Sequence, residues 1–191
     1  MAIIIPDAPP CVVVPAGTVL WRVHPAAMGA VWFGPDQRRP ARFRFDAADH
    51  EFGVCYFGDS LAVAFLETLV RGAGRVVAHT DALQRSASAL PVRRDLRVLQ
   101  FEGAGLPRLG IDAGRTHAEP YAECQALSRD VHHRHPEIDG IQYRSRWDNA
   151  RLCWALYDRA EPALGPLSAT QPLGDRNVIG PVLDQYSIAL V

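Results

Sequence analysis

The sequence predicts an α+β fold, a compact mixed sheet with a few helices. Short β-forming runs recur at irregular spacing between Val19 and Tyr157. Only a few helical patterns interrupt them, and strands and helices do not alternate as they do in a doubly wound parallel sheet. The 191 residues are 48% hydrophobic and 21% charged, which suits one domain with a substantial core.

The elements follow in order. Residues 1–17 are Pro-rich and read as an arm over the surface. VLWRV (19–23) reads as a strand, and Gly29, Gly34, Pro35 and Pro40 mark the loop after it. ARFRF (41–45) alternates as a half-buried strand would, placing Arg42 and Arg44 on one face and Phe43 and Phe45 on the other. VCYFG (54–58) is a further strand. Asp59-Ser60 then offers an N-cap to the helix of SLAVAFLETLVRG. RVVAHTDAL gives a short strand and a turn, and LRVLQFEG (96–103) a clear strand. YAECQALSRDVHHRH reads as a helix that stops at Pro136. IDGIQYRSRW holds a short strand, ARLCWALYDRA is an apolar run, and QYSIALV is a late strand candidate.

Charge and cysteines exclude several functions. The formal net charge of -1 provides no basic field for nucleic acid or an anionic membrane. All 20 basic residues are arginine, which removes Schiff-base lysine chemistry and a P-loop lysine. Cys11, Cys55, Cys124 and Cys153 are widely spaced, so reduced thiols in a cytoplasmic protein are expected. MAIIIPDAPP has no basic start and is broken by prolines, so neither a secretory signal nor a membrane span is expected. His132, His133 and His135 do not share one helix face, so no metal is expected there and they read as an exposed helix end.

Glu67 is the misfit. It lies in a helix that is apolar nearly all round, where a carboxylate must be paired, protonated or functional. Two readings stay open: an ion pair with Arg71 four residues on, or a catalytic carboxylate. Arg22 sits between Trp21 and Val23, and Ser145 between Arg144 and Arg146; each could be a polar surface residue or an anion contact.

Taken in order, LWRV, RFRFDAADHEFGVCYFGDSLAVAFLETLV and GIQYRSRWDN resemble the RES domain family, named for an arginine, a glutamate and a serine. The resemblance assigns these as Arg22, Glu67 and Ser145. Arg42 matches a second family arginine and Tyr56 a strand tyrosine, with Phe43 and Tyr121 as further substrate-binding candidates. Ala41 stands where a glycine is usual, and Arg144 where a proline often precedes the serine. The catalytic domain so implied spans 19–160, between an arm at 1–18 and a tail at 161–191 packed on the same domain.

The resemblance implies a fold like that of ADP-ribosyltransferases and an enzyme that degrades NAD+, the toxin of a bacterial toxin–antitoxin pair. Either water or inorganic phosphate would accept the ribosyl group, making the enzyme a glycohydrolase or a phosphorylase. NAD+ would be substrate, with no prosthetic group. An Xre-type helix-turn-helix antitoxin would be the partner, and the toxin itself a homodimer. The competing expectations are an ADP-ribosyltransferase acting on a macromolecule and a non-catalytic nucleotide-binding module.

Overall fold

A computed structural model describes residues 3–34, 41–70, 75–117 and 120–191. The architecture is α+β. The strands are β1 (Cys11–Val14), β2 (Val19–Pro25), β3 (Val54–Gly58), β4 (Val76–Val77), β5 (Arg85–Pro91), β6 (Leu96–Phe101), β7 (Gly140–Arg144), β8 (Leu152–Tyr157), β9 (Ala169–Pro172) and β10 (Ala189–Leu190). The α-helices are α1 (Leu61–Leu69), α2 (His79–Leu83), α3 (Gly105–Arg108), α4 (Ala122–Arg134) and α5 (Arg176–Tyr186). Eight strands form one sheet in the order β1-β6-β7-β8-β3-β2-β5-β9, and β10 pairs with β4 beside it. The sheet is mixed, because β6 and β7 run parallel while its other neighbouring strands are antiparallel.

Strand alternation divides the core. On β3, Val54 and Tyr56 pack with α4, whereas Cys55 and Phe57 turn to the other face. On β2, Leu20 joins that second face, and Trp21 and Val23 turn toward α1. The join between β2 and β3 is thin. Seven residue pairs register β2 with β5, but a single pair, Trp21 with Gly58, registers β2 with β3. The sheet therefore parts at this join, and α1 lies across the gap. Ser60 starts the helix by accepting the Val63 amide at 3.3 Å, as its N-cap position predicts. Gly58 allows the close turn into α1: a Cβ there would stand 2.9 Å from the Ala64 nitrogen.

Several local expectations are corrected. ARFRF is a turn, not a strand, so Arg42 and Arg44 do not share a face: Arg42 and Phe43 are exposed and Arg44 and Phe45 are buried. Within the N-terminal segment, Cys11–Val14 forms β1 and pairs with β6, and Ile5 is buried. QYSIALV is mostly not strand, since α5 runs to Tyr186 and only Ala189–Leu190 pairs. Of the histidines closing α4, only His133 is exposed: His135, at the C-cap, is buried, and His132 stacks on Phe52 at 4.1 Å between centroids. All four cysteines are free. Among the described residues, no helix is long and apolar enough to cross a membrane, and no group of three or more His, Cys, Asp or Glu could hold a metal.

Candidate active site

The gap between β2 and β3 is a cavity of about 40 Å³, lined by Arg22, Tyr56, Glu67, Thr68 and Tyr143 among others. Glu67 reaches it from the last turn of α1. Its Oε1 accepts the Ser145 hydroxyl at 2.6 Å and the Arg146 amide at 3.0 Å. Both donors belong to the segment that leaves β7. That segment is a tight turn, in which Ser145 Oγ accepts the amides of Trp147 (3.1 Å) and Asp148 (3.2 Å). The carboxylate predicted on α1 and the serine predicted after β7 are thus directly bonded across 78 residues of chain. The other partner offered for Glu67, Arg71, lies outside the described residues.

The turn at 42–46 supplies the cation. Asp46, 2% exposed, is its hub. One carboxylate oxygen accepts the amides of Arg42 (3.0 Å) and Phe43 (2.9 Å), and the other accepts the Tyr56 hydroxyl (2.9 Å). Tyr56 in turn accepts the Phe45 amide, and Ser128 and Gln125 on α4 donate to the carbonyls of Phe45 and Phe43. So clamped, the turn drives Arg44 inward, where it is 7% exposed. Its guanidinium carbon lies 5.1 Å from the Tyr143 ring centroid, 5.8 Å from that of Phe45 and 5.9 Å from that of Tyr121. Arg44 Nε and Nη1 have no hydrogen-bond partner within the described protein. Aromatic faces attract a guanidinium, but they leave its N–H donors unmet.

The two charges meet at Tyr143. Burial pushes its phenol well above the ordinary tyrosine range. The Cys153 and Glu67 charges push the same way, and Arg44 pulls against them. The Cys153 thiol is likewise raised by burial, then by Glu67 and Asp59, and lowered by Arg44. Burial and the Asp46 carboxylate hold the Tyr56 phenol well above its usual range, so it stays a neutral donor.

The remaining candidates are scattered. Arg22 lines the cavity, but its guanidinium points to the opposite sheet face, donating to the carbonyls of Ala30 (2.8 Å) and Trp32 (3.1 Å) and touching the Cys55 sulfur. Arg42 and Tyr121 line a separate open groove of about 440 Å³ with Gln125. Phe43, 51% exposed, meets the Tyr56 ring edge-on at 5.6 Å between centroids and so stands between groove and cavity. Sequence reasoning missed Arg44, Asp46, Tyr143 and the Arg146 amide. An acid two residues after an arginine, just before a turn-rich stretch, was the available signal for the first two.

The RES domain model matches residues 19–175, most of the chain. The chain belongs to the RES domain family. A search of curated proteins gives no match. Among solved structures, a chain in the crystal structure of the M. tuberculosis MbcT–MbcA toxin–antitoxin complex has a similar fold, with a TM-score of 0.65 and 17% identity over 83% of this chain and 85% of that one. In this RES domain, Glu67 and Ser145, the residues that sequence resemblance matches to the family's glutamate and serine, form one hydrogen-bonded unit, and Arg22 of β2 turns behind the sheet.

Proposed function

We propose that this protein cleaves the nicotinamide–ribose bond of NAD+ and acts as the toxin of a toxin–antitoxin pair. Membership of the RES family and a fold shared with a chain of a toxin–antitoxin complex support the reading. One observation carries it at atomic level: a carboxylate held by two donors on Oε1 lines the cavity with Tyr143, and a buried arginine whose Nε and Nη1 donors are unmet lies over that same Tyr143 ring.

The chemistry suits this pair. Departure of nicotinamide leaves positive charge on the ribosyl ring, as in glycoside cleavage. A fixed carboxylate beside that ring stabilises the charge as it develops. Ser145 and the Arg146 amide hold Glu67 in place. Arg44 is placed to receive the pyrophosphate, because its Nε and Nη1 donors have no partner within the described protein and a guanidinium suits a phosphate oxygen. It takes the anion-holding role expected of Arg22, and Arg42 extends the same basic path into the open groove. The cavity of about 40 Å³ has room for a few water molecules, not a nicotinamide ring. Substrate entry therefore requires Phe43 and Tyr121, which divide cavity from groove, to swing aside.

The acceptor is water or inorganic phosphate, and both products are compatible with this pocket. The enzyme works as a cytoplasmic homodimer, and an Xre-type antitoxin restrains it by covering the groove beside Phe43. The test is to incubate purified protein with NAD+, with and without phosphate, and follow nicotinamide. Release that Glu67→Gln abolishes without lowering the melting temperature supports the reading. No release in either buffer overturns it. Label transferred from NAD+ to a macromolecule would turn the assignment to an ADP-ribosyltransferase.

A further inference from the structure

The family match ends at residue 175, and the chain continues into α5 and β10. These last residues are built into the fold. Asp175 caps α5 by accepting the Asn177 amide at 2.9 Å, and Ile179 and Val182 are buried against the α1 side of the core. Ser187 adopts a left-handed conformation (φ 52°), which turns the chain back. β10 then pairs in parallel with β4, the strand that follows α1 and its Glu67.

The helix ends on the catalytic turn. Tyr186 donates its hydroxyl to Asp148 Oδ2 at 2.7 Å. Asp148 Oδ1 accepts the Ala150 amide, and the Asp148 amide donates to Ser145 Oγ. Trp147, between them, packs against the cluster that contains Val182 and Tyr186. The 145–148 turn is therefore gripped from two sides. Glu67 holds its inner edge through Ser145 and the Arg146 amide, and Tyr186 holds its outer edge through Asp148.

We propose that the segment after residue 175 is a clasp for the catalytic turn and that Tyr186 is a positioning residue, acting through Asp148 to hold Ser145 and the Arg146 amide against Glu67. The proposal rests on the functional reading above for its kinetic consequence but not for its structural one. The phenol proton stays on the tyrosine through the neutral range, since desolvation and then Asp148 push its pKa up to about 12. The clasp is thus closed at all physiological pH values, and it is broken by changing either end of the bond.

Tyr186→Phe removes one hydroxyl and keeps the ring. Hydrogen exchange at the amides of Arg146, Trp147 and Asp148 should accelerate at least fivefold, with exchange in β7 and β8 unchanged. For nicotinamide release, kcat should fall about fivefold with KM for NAD+ within twofold, because turn geometry and not substrate contact is lost. Asp148→Ala should reproduce both effects. Asp148→Asn, which keeps an oxygen for Tyr186, should restore slow exchange. Unchanged exchange at the three amides in Tyr186→Phe overturns the clasp, as does acceleration spread evenly over the whole fold. If the wild-type protein releases no nicotinamide, the NAD+ reading fails, and the exchange comparison still decides the clasp by itself.

Discussion

Replacing Arg44 by methionine separates a functional cation from a structural one by the sign of the stability change. Methionine fills a similar volume with no donor to satisfy. Replacing buried ionic groups by apolar side chains of similar volume is often neutral or stabilising by about 1–4 kcal/mol, and a guanidinium with unmet donors has its desolvation cost to recover. Against this stands the loss of contact with the faces of Tyr143, Phe45 and Tyr121 at 5.1–5.9 Å, each worth about 0.5–2 kcal/mol and weakest at the longer distances. At these distances, near the outer limit of the interaction, each contact is taken at about 0.5 kcal/mol, and the balance against a mid-range gain is about 1 kcal/mol, or roughly 2–4 °C in Tm for a chain of this size. Ligand binding should move the other way. ADP-ribose at about 100 times its Kd adds roughly 2.7 kcal/mol to the wild-type protein, some 5–11 °C, and should add nothing to Arg44→Met. Differential scanning fluorimetry with and without ADP-ribose measures both. A Tm several degrees below wild type, with the ADP-ribose shift intact, would refute the reasoning and make Arg44 a packing residue.

Ser145→Ala deletes a charge-assisted bond to Glu67, worth roughly 1.5–3 kcal/mol, so kcat/KM for nicotinamide release should fall about 10- to 100-fold in a steady-state assay. Asp46→Ala strips the acceptor from the amides of Arg42 and Phe43 and from the Tyr56 hydroxyl; thermal unfolding should show a loss of roughly 2–4 kcal/mol, and ADP-ribose should cease to stabilise because Arg44 is no longer turned inward. Acid should weaken the fold through His132. Burial first, and Arg159 second, lower its pKa to about 4, so the unfolded chain takes the proton more readily. Stability should hold above about pH 6.5, the ordinary value for histidine, fall from there to pH 4, and flatten below; solvent screening of this partly exposed ring limits the loss to about 1 kcal/mol. His132→Phe, which keeps the stack on Phe52, should flatten that slope in urea titrations at pH 7 and pH 4.5.

Much of the fold was legible where pattern and burial agree. VCYFG and LRVLQFEG are strands because β-formers there fill both faces of a central sheet, and the bounds of β3 match the sequence reading residue for residue. β5 was not legible. RSASALP is rich in serine and alanine, which have little strand preference, yet it sits between β2 and β9, and its seven-residue register with β2 overrides that preference. α5 was hidden by Pro181 and Gly180 within its own span, and by the absence of any local sign that Ile179 and Val182 face the core under α1.

The site shows where one-dimensional spacing stops being informative. Glu67 was legible because an acid in an apolar helix is costly wherever the helix packs, so its oddness survives ignorance of the fold. Ser145 was reached through family order, and its contact with Glu67 arises from the turn after β7. The arginine failed on parity. Read as a strand, ARFRF puts Arg42 and Arg44 on the same side and makes them equivalent. Closed into a turn by Asp46, the same five residues put Arg42 in solvent and Arg44 beneath three aromatic rings. The deciding residue lies outside the pentapeptide. Asp46 closes the turn with one oxygen, while Tyr56, ten positions on and in another element, donates to its second. A tyrosine assigned to the substrate by family resemblance thus serves first to bury the cation, and Tyr56→Phe should weaken anion binding through Arg44 even though its own hydroxyl is already spent on Asp46.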